Sequence, residues 1–189
     1  MDLTPLPSQT AGPYFHLGLT IPGSVGCLVT PQTKGERLRL TCSIVDGEGK
    51  PVNDAMIELW QANADGQYFQ AQGAAQSKTS DQDFHGFGRL ATDENGLCTF
   101  ETIRPGRVPG NANTLQAPHI NVSIQARGLL VRLATRIYFA GDSANTEDPI
   151  LALVPAGRRD TLMAQPQEAG AWRFDIHLSG ERETVFFDV

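Results

Sequence analysis

The sequence predicts an all-β chain, an antiparallel β-sandwich with an extended N-terminal arm and long loops. Three observations carry this expectation. Several short runs alternate apolar and polar residues with a period of two. Turns rich in Asp, Asn and Gly punctuate them at the close spacing of sandwich strands. No segment shows a long amphipathic helical pattern. A chain of 189 residues suits one core. The expected organisation is therefore a single domain over 1–189, with an arm at 1–35 and the sandwich core at 36–189.

Taken in order, Met1 to Gly35 is rich in Pro, Gly, Thr and Gln without a period of 2 or 3.6 and reads as an extended arm. Phe15-His16-Leu17-Gly18-Leu19 is too apolar to lie free in water, so the arm is expected to dock on the domain or on a partner. In Arg37 to Val45, Leu38, Leu40, Cys42 and Ile44 alternate with polar residues, and Asp46-Gly47-Glu48-Gly49 closes the strand with a turn. Ala55 to Gln61 is a second strand, and Gln70 to Asp83, small and polar, reads as a loop. Two short strands flank a hairpin-type turn at Asp93-Glu94-Asn95-Gly96. The clearest strands are His119 to Ala126, Arg132 to Ala140, Ala171 to Ser179 and Glu183 to Val189, while Pro149 to Met163 has room for a short helix.

Fifteen Lys and Arg against twenty-one Asp and Glu leave a net charge of −6 with no basic run, which argues against a nucleic-acid partner. Met1 to Leu19 lacks the basic start and long apolar core of a signal peptide or membrane span, so a soluble cytoplasmic protein is expected, with no membrane contact. Cys27, Cys42 and Cys98 are odd in number and lack a C-x-x-C spacing, and read as reduced, mostly buried thiols. His85 in a Gly-flanked turn, His16 in the arm and His177 on a polar strand face are not spaced to share a metal with His119.

Four motifs occur in one order. They are Pro51-Val52-Asn53-Asp54-Ala55 leading into Glu58-Leu59-Trp60-Gln61-Ala62-Asn63-Ala64-Asp65-Gly66-Gln67-Tyr68, then Phe84-His85-Gly86-Phe87-Gly88-Arg89, Thr102-Ile103-Arg104-Pro105-Gly106, and Ala117-Pro118-His119-Ile120. Together they resemble the signature of the intradiol ring-cleaving dioxygenases and cover roughly residues 36 to 150. The resemblance implies that family's β-sandwich and a mononuclear Fe(III) bound by two tyrosines and two histidines. A hard ferric ion suits phenolate oxygen. Carried over by position, the first tyrosine falls on Tyr68 and the first histidine on His119. The second tyrosine falls on Val108 and the second histidine on Asn121. Residues 119 and 121 share a strand face, so a scaffold for chelation remains while its donors do not. Valine offers no lone pair, and a neutral amide is a poor substitute for imidazole. Tyr68, Val108, His119 and Asn121 are thus expected to be vestigial metal positions.

The ends of the chain add to this. Thr4-Pro5 through Pro7-Ser8-Gln9-Thr10-Ala11-Gly12-Pro13-Tyr14, Ala126-Arg127-Gly128, and the ending from Phe174 to Val189 resemble the non-catalytic chains of two-chain members of the family, apart from an inserted Leu6. That resemblance implies a hetero-oligomer whose homologous β subunit holds the Fe(III), with no catalytic residue in this chain alone. Thr10, Gly12, Pro13, Tyr14 and Arg127 are implied to line the partner's pocket. A permanent guanidinium suits an anionic substrate there. The implied reaction is O₂-dependent cleavage of 3,4-dihydroxybenzoate between its hydroxylated carbons, yielding 3-carboxy-cis,cis-muconate. The rival expectation is a stand-alone β-sandwich module that binds aromatic ligands without a partner.

Overall fold

Alternation along the first strand does what the sequence requires: in β1 (Arg37–Val45) Leu38, Leu40, Cys42 and Ile44 are buried while Arg37, Arg39 and Thr41 face outward. The computed structural model describes residues 7–20, 25–69, 83–168 and 170–188. Within them follow β2 (Met56–Gln61), β3 (Phe87–Ala91), β4 (Leu97–Ile103), β5 (Val108–Pro109), β6 (Leu115–Gln116), β7 (His119–Gln125), β8 (Leu133–Phe139), β9 (Met163–Pro166) and β10 (Ala171–His177). Eight of these strands form one sheet in the order β3-β2-β7-β8-β9-β10-β1-β4, and β5 pairs with β6 as a separate ribbon. Phe100 of β4 lies against the backbone of Gly88 in β3, so the two ends of that order meet across the core and the sheet is nearly closed.

The core between the layers is built from Leu40, Ile44, Ile57, Leu59, Phe100, Ile103, Ile120, Ile124, Ile137, Phe139, Phe174 and Ile176. Side chains of this size contribute about 1.5–3 kcal/mol each when fully buried. Trp172, Phe174 and Ile176 turn inward along β10 and Asp175 outward, as their alternation predicts. Arg104 lies over the ring of Phe139 at 4.4 Å, with Trp172 edge-on to that ring, and pairs with Asp142 at 2.7 Å. This clasp fixes the Arg104–Gly106 segment against the sheet.

Several elements differ from the expectation. Two of the pairings, β8 with β9 and β1 with β10, are parallel. Alternation specifies which face a strand buries and is silent on its neighbours and their direction. The turn after Asp93 is tight, its carboxylate accepting from Asn95 N and Leu97 N, yet β3 pairs with β2 and β4 with β1, so the turn joins two ends of the sheet and is no hairpin. Glu183 to Val189 makes only an isolated bridge, Ala134 to Phe187, and no ladder among the described residues. Between Asp142 and Met163 the chain forms 3-10 turns at Ser143–Glu147, Leu151–Leu153 and Ala156–Leu162. The short β9 that follows carries no clear alternation and was not foreseen.

The arm is not wholly extended. Pro13–Leu19 is a helix, α1, opened by a proline whose fixed φ and missing N–H suit a first helical position. Leu28 enters the core. Cys42 and Cys98 face one another across β1 and β4 and are buried, whereas Cys27 is exposed. Thr4, Pro5 and residues 70–82 of the expected loop lie outside the described residues. Among the described residues no helix is long and apolar enough to cross a membrane.

Candidate functional site

The Trp60–Tyr68 motif is a turn that carries Tyr68 back over the outer face of the sheet. Gln61, fully buried at the end of β2, donates to the carbonyl oxygen of Ile103 at 3.0 Å and accepts from Thr102 Oγ1 at 2.8 Å, tying the turn to β4. Asn63 Oδ1 then accepts from Asp65 N and Gln67 N, which closes the turn. Gly66 sits at φ +77°, and a Cβ there would overlap the carbonyl oxygen of Arg107. The segment leading to Val108 therefore lies directly against the turn leading to Tyr68.

Three of the four family metal positions meet. Tyr68 Oη accepts from Asn121 Nδ2 at 3.0 Å and lies 3.4 Å from His119 Nε2, while His119 Nδ1 is 2.8 Å from the Ala117 carbonyl oxygen. A carbonyl only accepts, so Nδ1 carries the proton and Nε2 presents its lone pair to the phenol. The donors run in one direction, from Asn121 through Tyr68 and His119 to Ala117. Burial pushes the Tyr68 phenol up and the His119 imidazole down, so both rings are held neutral. The Trp60 ring stacks on Tyr68 with centroids 5.7 Å apart. Val108, buried in the β5–β6 ribbon, offers only methyl groups.

The support for His119 comes from a residue that the sequence reading missed. Asp148 is buried, and its carboxylate accepts from Ala117 N at 2.7 Å, Leu151 N at 2.7 Å, Ile150 N at 2.9 Å and the Tyr138 hydroxyl at 3.1 Å. Ala117 is thereby held at both its N–H and its carbonyl, the latter being the acceptor for His119. Burial first, and the nearby Asp148 charge, push the Tyr138 phenol far above its ordinary range, partly opposed by Arg136. Arg136 itself donates to Gln116 Oε1 at 2.7 Å.

Beside this network the outer face of β2, β7 and β8 floors an open cavity of about 670 Å³. Trp60, Phe87, Leu153, Val154, Val185 and Phe187 supply apolar walls, and Asn121, Ser123, Arg132 and Arg136 supply polar groups. Glu58 also lines it, but is engaged by Arg89 through Nε at 2.8 Å and Nη2 at 2.5 Å.

Comparison with known proteins fits this geometry. A family model described as Dioxygenase matches residues 11–180. The chain belongs to the intradiol ring-cleaving dioxygenase family. It is similar to the protocatechuate 3,4-dioxygenase alpha chain of Pseudomonas putida, at 41% identity covering 96% of this chain and 95% of that one. It is also similar to the beta chain of Burkholderia cepacia, at 36% identity covering 79% and 67%. The solved dioxygenase domain from Streptomyces sp. SirexAA-E superposes with a TM-score of 0.63 at 25% identity, covering 95% of this chain and 99% of that one.

Of the residues that the intradiol resemblance assigns to a partner's pocket, the structure joins two. Gly128 N donates to Thr10 Oγ1 at 2.6 Å, and Thr10 Oγ1 reaches the Ala126 carbonyl oxygen at 3.5 Å, so the arm is pinned beside Arg127. Arg127 is 79% exposed and pairs with Asp54 at 3.0 Å. Gly12 accepts from Phe15 N and opens α1 just ahead of Pro13. Tyr14 is 84% exposed and none of its atoms enters the cavity described above. None of these five is among the hydrogen-bond partners of Tyr68, His119 or Asn121. Little in the local sequence marked Asp148 or Arg136, because Asp148 reaches Ala117 and Arg136 reaches Gln116 across distant stretches of chain. Asp148-Pro149 before an apolar pair was the only available cue, that of a residue accepting from the next turn's N–H groups.

Proposed function

We propose that this chain is the α subunit of a protocatechuate 3,4-dioxygenase, whose own family metal site is degenerate and whose arm and Arg127 complete the substrate pocket of a homologous, iron-bearing β subunit. The observation that carries this reading is the closed set of hydrogen bonds at the family's metal positions. Ferric iron does not fit this donor set. Val108 has no lone pair, and Asn121 offers a neutral amide whose N–H is directed at the Tyr68 oxygen an ion would have to take. End-to-end similarity to an alpha chain, against partial similarity to a beta chain, favours the same assignment.

In this reading the arm supplies shape and Arg127 supplies charge. Thr10 holds the arm to the 126–128 turn, Gly12 and Pro13 give it a rigid bend, and Tyr14 projects outward. The exposed guanidinium, held by Asp54, stands ready to accept the carboxylate or catecholate charge of protocatechuate in the partner's pocket. Iron content and protocatechuate-dependent O₂ uptake test it, with the chain expressed alone and then with a candidate β chain. A colourless, inactive chain that copurifies with β as a coloured, active complex is expected. Near-stoichiometric iron and catechol cleavage by the isolated chain would overturn the reading.

A further inference from the structure

The turn that carries Arg127 is fixed from two sides. The Ala126 carbonyl oxygen accepts from Leu129 N at 3.2 Å, and Gly128 takes φ +91° at the second central position, so Arg127 stands at the outer corner of a tight turn. Across from it, β2 and β7 run antiparallel with Met56 opposite Gln125, and continuing that register by two places sets Asp54 opposite Arg127. Asp54 is not on a free loop. The next residue, Ala55, is buried and held at both backbone groups: its N–H donates to Thr92 Oγ1 at 3.1 Å and its carbonyl oxygen accepts from Thr92 N at 2.9 Å.

Asp54 Oδ2 lies 3.0 Å from Arg127 Nε, with the carboxylate side chain 32% exposed and the arginine 79% exposed. A half-sheltered anion thus holds the inner, Nε side of a projecting guanidinium. Among the described residues neither terminal nitrogen of Arg127 is taken by a hydrogen bond, so the edge that can meet a carboxylate with two parallel N–H groups stays open. A long arginine held before its ligand arrives has less rotamer freedom to lose on binding. The Asp54 charge also repels an anionic substrate, but it lies behind Nε, farther from that substrate than the terminal nitrogens, so attraction outweighs repulsion. We infer that Asp54 is a positioning residue for the shared substrate pocket, aiming the open edge of Arg127 across the subunit boundary. The inference rests on the α-subunit reading above and adds to it a residue that touches neither substrate nor iron.

The test is steady-state O₂ uptake with protocatechuate by the complex of the full chain with its β partner. Asp54→Ala should raise KM by about twofold to tenfold, the range for one partly screened charge pair, with a much smaller effect on kcat. Asp54→Glu, which keeps the charge, should recover most of the loss. In an Arg127→Ala background Asp54→Ala should add nothing further, an outcome that a merely structural role for Asp54 would not produce. Glu48→Ala, which breaks the exposed pair with Lys50, is the control for removing a surface carboxylate. If Asp54→Ala does not assemble, Asp54→Asn, of the same shape and without the charge, carries the comparison. A KM that responds to Arg127→Ala but is unmoved or lowered by Asp54→Ala, or effects of the two changes that simply add, would overturn the inference alone. An active complex indifferent to Arg127→Ala would overturn the pocket reading and the inference with it.

Discussion

Replacing Asp148 tests how the site is held. In Asp148→Ala three buried donors, the N–H groups of Ala117 and Leu151 and the Tyr138 hydroxyl, lose their charged acceptor, and the Ile150 N–H loses its own. A buried unsatisfied donor costs about 1–3 kcal/mol, and these costs are not additive within one network, so a total loss of about 3–5 kcal/mol is expected. For a chain of this size that corresponds to a fall in Tm of about 10 °C. In Asp148→Asn the amide oxygen can still serve the three donors that now share Oδ1, and only Ala117 N meets an NH₂ group, so about half of the loss is expected. Thermal unfolding followed by circular dichroism, with the exposed Asp160→Ala as control, gives the comparison. A Tm for Asp148→Ala within about 2 °C of the parent would show that the carboxylate is not what holds Ala117 and, through it, His119.

Other outcomes follow from the same geometry. Burial raises the Tyr68 and Tyr138 phenols above their ordinary range, so the unfolded chain releases these protons first; stability should be intact below about pH 10 and fall above it, and Tyr138→Phe should flatten that alkaline loss in urea titrations. His119 is lowered from 6.5, so its contribution is present above that pH and is lost as pH falls through the depressed folded value, a loss that His119→Gln should remove. Val108→Tyr together with Asn121→His should give this chain a coloured ferric complex, read as a visible phenolate-to-iron absorption band, whereas either change alone should not. Arg127→Ala should change stability by less than about 0.5 kcal/mol, because its pair with Asp54 is largely solvated, yet raise the KM of the complex with β for protocatechuate.

Much of the sandwich was legible because its information is local. Leu38, Leu40, Cys42 and Ile44 declare a buried face within nine residues, and the same holds for β7, β8 and β10. What could not be read was the parallel pairing of β1 with β10 and of β8 with β9, since it depends on how the intervening chain crosses the sheet. The C-terminal run alternates well, yet among the described residues it has only a bridge to Ala134, on the edge of β8 that β9 leaves open before Tyr138. At the site, the meeting of Tyr68, His119 and Asn121 was implied by the intradiol resemblance, and strand period added only that 119 and 121 share a face. Their supports, Asp148 and Arg136, bring together positions that no short window contains.

The one-way run of donors from Asn121 to Ala117 bears on the history of the chain. Where a metal site has merely lost a ligand, one reverting change can restore it by stages. Here the lone pairs of Tyr68 and His119 have been absorbed into the protein's own bonding, and the amide of Asn121 is the donor that begins the run. A first step back toward histidine at 121 removes that donor before any ion compensates, and tyrosine at 108 must enter a buried position shaped for valine. On the α-subunit reading proposed above, these two requirements make the loss of the centre self-sustaining, since neither single change restores it.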